Sequence, residues 1–283
     1  MQTASFYGWA HFGVAAAYFG VAYSCWRSLQ QGQTVRLSGV VAALLPLAVL
    51  GHAILLADDV FGTGGLRFGF AQALSATFMM ACGLLWIEGL FVGLGALYAL
   101  MTPMAAIAVV LPVLFHGIPL AAEGSSLALR VHLAVSVLSY SLFTIAALHG
   151  VLMTSIDRYL HQPARGPLRS IGPLLSQMPS LLSLESLLFR QLAAGFLLLT
   201  GTLVSGIVFS EELFGRPLRF NHMTLFGILS WGIFAVLLIG RYAFGWRGKI
   251  ALRWLSVGLF MLLLAYIGTR FVFEVVLGRV WVT

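Results

Sequence analysis

Eight apolar runs, each long enough to cross a bilayer as a helix, leave this chain little from which to build a soluble domain. They cover residues 5–26, 36–57, 68–87, 93–115, 130–154, 189–210, 222–243 and 250–276. A spanning helix needs about 20 mostly apolar residues, because lipid offers backbone amides no partner outside the helix itself. Composition agrees. Of the 283 residues 60% are apolar and 9% charged, with a mean hydropathy of +0.98. Soluble domains carry roughly a quarter charged residues. The expected fold is an all-α polytopic membrane bundle of about eight helices, a single integral domain over residues 1–283.

No basic region precedes the first run, and the run is too long for a cleaved signal, so we expect it to remain as a span. No repeat period suggests a solenoid. The longest connection, 155–188, contains HQPARGPLRSIGPLLSQMPSLLSLES, which Pro, Gly and Ser break up. Its leucine-rich end is expected to lie along the bilayer surface as an amphipathic segment.

Basic residues set the expected orientation. With the N-terminus outside, the inner loops hold Arg27, Arg36, Arg158, Arg165, Arg169, Arg241, Arg247, Lys249 and Arg253. The outer loops hold Arg67, Arg130, Arg216, Arg219 and Arg279. This positive-inside bias puts both termini on the periplasmic side of a bacterial inner membrane and the 155–188 connection in the cytoplasm. The formal charge of +7 is then explained by orientation and anionic lipid, with no need for nucleic acid. Cys25 and Cys82 belong to no CxxC or CxxCH motif, which excludes a redox pair, a cysteine zinc site and covalent haem attachment. Both read as small buried apolar residues.

Five of the seven histidines fall toward the outer face: His11, His52, His116, His132 and His222. His149 and His161 fall toward the inner one. In RVHLAVSVLSYSLFTIAALHG, His132 and His149 are roughly 25 Å apart along a helix axis and cannot share a site. His132, Ser136, Ser139, Tyr140 and Thr144 recur at three- and four-residue steps and form one stripe. Lipid cannot satisfy these groups, so the stripe should face the bundle, where hydroxyls commonly bond neighbouring helices. Neutral imidazoles at one depth can hold a metal between them, and His132 and His222 are the natural pair on depth. Interfacial histidines bonded to water would look the same in sequence.

Other motifs carry less. FGTGG at 61–65 lacks the GK[ST] of a phosphate loop, and no nucleophile elbow appears. Arg270 and Glu274, four apart on the last run, read as an ion pair. No carboxylate sits at mid-membrane, which argues against a proton-coupled carrier.

VHLAVSVLSYSLFTIAALHGVL resembles the histidine-to-Ser-Tyr helix of the cytochrome c assembly family, the CcsA and CcmC type of haem-handling membrane proteins. HMTLFGILSWGIFAVLLIGRYAFGWRGKIALRWLSVGLFMLLLAYIGTRFV is similar to that family's closing module, a tryptophan-bearing helix, a basic GWRGK turn and a last helix. MPSLLSLESLLFRQL is similar to the segment before its next span. The resemblance covers most of the chain and is closest to the shorter, YpjD-like inner-membrane branch.

What the resemblance implies is non-covalent haem b. His132 matches the first outer haem histidine and His52 the first intramembrane one. Arg130, two residues before His132, is placed for a haem propionate. The pattern also breaks. Where the lyases carry a WDPKETW-like run, this chain has NHMTLFGILSW and keeps only Trp231. Ile239 stands where the lyases have a histidine before the basic turn, and EVVLGRVWVT lacks the last histidine. A second outer ligand would have to be His222 or His116. Without the tryptophan run the resemblance implies no haem-lyase activity and leaves no catalytic residue to name. The leading expectation is a haem-binding or haem-handling inner-membrane protein whose partners are haem and cytochrome c maturation proteins. A non-enzymatic membrane partner or scaffold for another complex is the alternative, and a small-solute transporter the third.

Overall fold

The computed structural model describes residues 2–31, 39–62, 66–117, 127–161, 180–208 and 222–277. Eight helices account for nearly all of them. They are α1 (Gln2–Gln30), α2 (Gly39–Phe61), α3 (Phe70–Gly89), α4 (Gly95–Leu114), α5 (Leu127–His161), α6 (Leu181–Val208), α7 (His222–Phe244) and α8 (Gly248–Val276). All but α1 are both long and apolar enough to cross a membrane. At 29 residues α1 has the length, but its Gln, Ser, Trp, Tyr and His content dilutes the apolar signal.

The helices form two rings of four. In the first, α1 packs on α2 and α4, and α3 on α2 and α4. In the second, α5 packs on α6 and α8, and α7 on α6 and α8. The rings meet mainly where α3 lies against α5 and against the far part of α8. The end of the bundle at which α1 begins is called upper below.

One layer of the second ring shows why four helices close there. Phe143 on α5 and Phe234 on α7 stack with centroids 4.1 Å apart and planes at 9°. Glycines on the other two helices make room for these rings. A Cβ on Gly195 of α6 would come within 3.3 Å of Phe143, and one on Gly258 of α8 within 2.6 Å of Phe234. Close approach of small residues is the usual basis of helix packing in lipid, where no hydrophobic force draws helices together.

The α7–α8 turn is equally specific. Gly245 and Gly248 take φ of +67° and +53°, which side chains rarely adopt, and Trp246 folds back to stack on Trp254 at 5.7 Å. Toward its upper end α8 changes winding, with π turns at Leu264–Gly268 and Val272–Val276 on either side of a single α turn. The expected pairing is loosened here: Arg270 and Glu274 interact as charges but do not close to within 4 Å. Four residues no longer complete a turn where the helix widens. Glu274 turns to α3 instead, its Oε2 accepting from Phe70 N–H at 3.4 Å.

The connection between α5 and α6 is shorter than 155–188. Residues 155–161 continue α5, and the leucines from Leu181 already belong to α6. Residues 162–179 lie outside the described part.

Candidate functional site

The α5 stripe divides between local and interhelical work. Ser136 and Thr144 donate to the carbonyls of His132 and Tyr140, four residues back on their own helix. Ser139 donates to Gly195 O on α6 at 2.9 Å, and Tyr140 to Leu262 O on α8 at 2.7 Å. Ser141, outside the stripe, donates to Thr77 O on α3 at 2.9 Å.

His132 is half-buried at the upper end of α5, and its Nδ1 lies 2.9 Å from Ser205 Oγ on α6. Ser205 has one hydroxyl proton, and it goes to Thr202 O at 3.0 Å. A His132 Nδ1–H donating to Oγ fits that arrangement and is the tautomer with its lone pair on Nε2. A hydrogen bond of this kind at one ring nitrogen orients a metal-binding imidazole and raises its basicity. An imidazole oriented in this way has the chemistry of a metal ligand.

The other expected residues stand as follows. His222, exposed at the start of α7, stacks on Phe273 of α8 at 5.9 Å and 19°. The described contacts of His132 and His222 lead to different helices and do not join the two rings. Arg130 places its guanidinium over Phe61 of α2, 5.4 Å from the ring centroid. An apolar cluster separate from the main core joins α2, α3 and α5 near this end, with Leu56, Val60, Phe68 and Leu129 buried in it and Leu133 and Tyr266 against it. Among the described residues no three His, Cys, Asp or Glu side chains gather in a way that could hold a metal ion.

His52 is buried inside the first ring with both nitrogens engaged. Tyr18 on α1 donates its hydroxyl to Nδ1 at 3.2 Å, or accepts from it, and Ser75 Oγ on α3 lies 2.7 Å from Nε2. To take a metal, His52 would have to give up one of these bonds, so the geometry does not fit a ligand as it stands. Nearby, His11 donates Nδ1–H to Val109 O at 2.7 Å and turns Nε2 toward Asp59, 3.6 Å away. Sequence reading missed both groupings, because their members come from four different helices and no spacing links them.

Two positions of the lyase pattern, one kept and one replaced, stand as follows. Trp231 donates its indole N–H to Thr200 Oγ1 at 2.9 Å and stacks on Phe196, so it serves the packing of α6 on α7. Ile239 is 59% exposed and faces away from the bundle, where a ligand would have no use.

A two-ring, eight-helix membrane bundle with a histidine-bearing upper seam is the class these features define. The sequence model of the cytochrome c assembly protein family matches residues 9–277, and the chain belongs to that family. It is 32% identical over 146 residues to the inner membrane protein YpjD of Escherichia coli, 52% of either chain. An uncharacterized 28.8 kDa protein of Azospirillum brasilense is 32% identical over 147 residues, again 52% of each. The cytochrome c biogenesis protein CcsA of Prochlorococcus marinus is 38% identical over 88 residues, 31% of this chain and 28% of that one. The aligned stretch thus spans about half the length of the curated relatives it matches.

Proposed function

We propose that this chain is a haem-binding protein of the bacterial inner membrane, in which His132 at the upper end of the bundle would hold the iron of haem b. The carrying observation is the Thr202–Ser205–His132 chain, which fits the tautomer protonated at Nδ1 and orients the imidazole. Bound haem supplies an iron centre. The residues that would hold it are His132 for the iron, apolar side chains of α2, α3 and α5 for the macrocycle and Arg130 for a propionate. His222 is the second outer histidine at that end. Family membership and the name of the YpjD relative support the inner-membrane location, and the distribution of arginines supports an upper end that is periplasmic.

The same features argue against haem attachment to an apocytochrome. Trp231 is committed to packing, and Ile239 faces outward. They favour, as a second reading, a membrane scaffold that keeps the family fold without its chemistry. Absorption spectra of the detergent-purified protein, oxidised and reduced, with a pyridine haemochrome assay, separate the two. One haem per chain, lost in His132→Ala, supports the first reading. Clean protein without haem, even when hemin is supplied during expression, supports the second.

A further inference from the structure

At the lower end a second polar group lies inside the bundle, away from the upper seam. His149 on α5 is fully buried, and its Nδ1 lies 3.0 Å from Ile145 O. A carbonyl only accepts, so Nδ1 carries the hydrogen and Nε2 is an acceptor. Gln191 on α6 reaches the same ring and donates its amide nitrogen to Glu88 Oε2 on α3 at 2.8 Å. That orientation turns Gln191 Oε1, also an acceptor, toward His149. Apart from one another, neither His149 Nε2 nor Gln191 Oε1 has a hydrogen-bond partner, and both are buried.

Two buried acceptors side by side are costly unless a proton lies between them. One proton satisfies the whole group, and it has two places to sit. With the proton on His149 Nε2, the ring donates to Gln191 Oε1, and the amide donates to an ionised Glu88. With the proton on Glu88, the amide turns over, Oε1 accepts from the carboxyl, and the amide nitrogen donates to a neutral His149. Moving between the two breaks an O–H bond at Glu88 and forms an N–H bond at His149. The amide is chemically unchanged, and the net charge of the trio is the same in both states.

We propose that Glu88, Gln191 and His149 hold one exchangeable proton in the lower half of the bundle, taken up from the side of Arg190. Arg190 is 71% exposed and stands 3.7 Å from Glu88, at the entrance to the trio. The surrounding elements offer few competitors. Tyr98 on α4 lies near Glu88 but gives its hydroxyl to Leu85 O at 2.9 Å. On the α8 side Gly150 meets Leu252 and Leu255, which are apolar. Of the other charges at this end, Glu185 pairs with Arg241 and Arg247, and Asp157 lies beside His161. The trio also ties α3 of the first ring to α5 and α6 of the second, so the proton becomes a condition of that junction.

The test is a pH titration of the full-length protein in lipid nanodiscs, followed by infrared difference spectroscopy, with Glu88→Gln and Gln191→Leu alongside. Carboxyl and imidazole bands are expected to change together at one midpoint in the wild type. The carboxyl component disappears in Glu88→Gln, and in Gln191→Leu the two signals separate to different midpoints. Independent titration in the wild type, or a midpoint that Gln191→Leu leaves in place, overturns the proposal. Should a variant fail to fold, isotope-labelled histidine in the wild type decides by NMR. A protonated His149 Nε2, or a neutral ring beside a protonated Glu88, supports the shared proton; a bare Nε2 beside an ionised Glu88 overturns it.

Discussion

Phe143 and Phe234 stack face to face with their centroids 4.1 Å apart, and each ring occupies the space that a glycine on a third or fourth helix leaves open. Truncating such a ring in a layer shared by four helices removes contacts that no lipid tail can replace. Phe234→Ala is expected to cost about 3 kcal/mol of unfolding free energy in mixed micelles. Gly258→Ala should cost roughly 1–3 kcal/mol by overpacking, since its Cβ would meet Phe234 at 2.6 Å. Phe260→Ala on the same helix is the control; Phe260 is 58% exposed, and its loss should change stability by no more than about 0.5 kcal/mol.

Much of the helix framework was legible in hydropathy, for a physical reason. A span at 222–243 is matched by α7 at His222–Phe244, because an uninterrupted apolar run in lipid has no alternative to a helix. The first two turns of α6 were harder to read. Ser183 and Glu185 interrupt the apolar signal there, and the compensation for Glu185 comes from Arg241 and Arg247, more than fifty residues away. The grouping of Tyr18, His52 and Ser75 was illegible in the same way, since it depends on which helices close the first ring. His132 was found because it opens a polar stripe. That the stripe divides between Ser136 and Thr144, which bond their own helix, and Ser139 and Tyr140, which bond others, depends on the rotation of α5 within its ring, which periodicity does not fix.

The Ser205–His132 bond makes a prediction about haem. Ser205→Ala keeps the imidazole but removes the group that orients it. Hemin titrated into the purified apoprotein is expected to bind about tenfold or more weakly in Ser205→Ala, the usual scale for losing such an orienting bond. His132→Ala should abolish binding. Equal affinity of Ser205→Ala and wild type would mean that the hydroxyl does not position the ligand.

The ion pairs at the lower end are unequal. Glu185 and Arg241 are 11% and 19% exposed, and Arg241 also lies 4.5 Å from the centroid of Phe189, whereas Arg247 is 62% exposed. Arg241→Met leaves a nearly buried carboxylate with only the exposed Arg247 as partner and is expected to cost about 3 kcal/mol in detergent unfolding. Arg247→Met removes a solvent-screened partner and should cost less than about 1 kcal/mol. Similar losses for the two variants would show that the site behaves as an exposed network.

His52 offers the sharpest separation between structure and chemistry, because the resemblance to the haem lyases and the geometry assign it different work. Its two ring nitrogens tie α2 to Tyr18 of α1 and Ser75 of α3. His52→Leu preserves bulk but leaves a phenol hydroxyl and a serine hydroxyl buried without that partner, at a cost of roughly 1–3 kcal/mol each. Thermal unfolding of the detergent-purified variant should therefore shift clearly downward. Haem content per folded chain should stay at the wild-type value, because neither nitrogen is available to iron while both bonds are made. Loss of haem from a variant with unchanged unfolding would reverse the assignment, making His52 a ligand that exchanges Ser75 or Tyr18 for iron when haem enters the first ring.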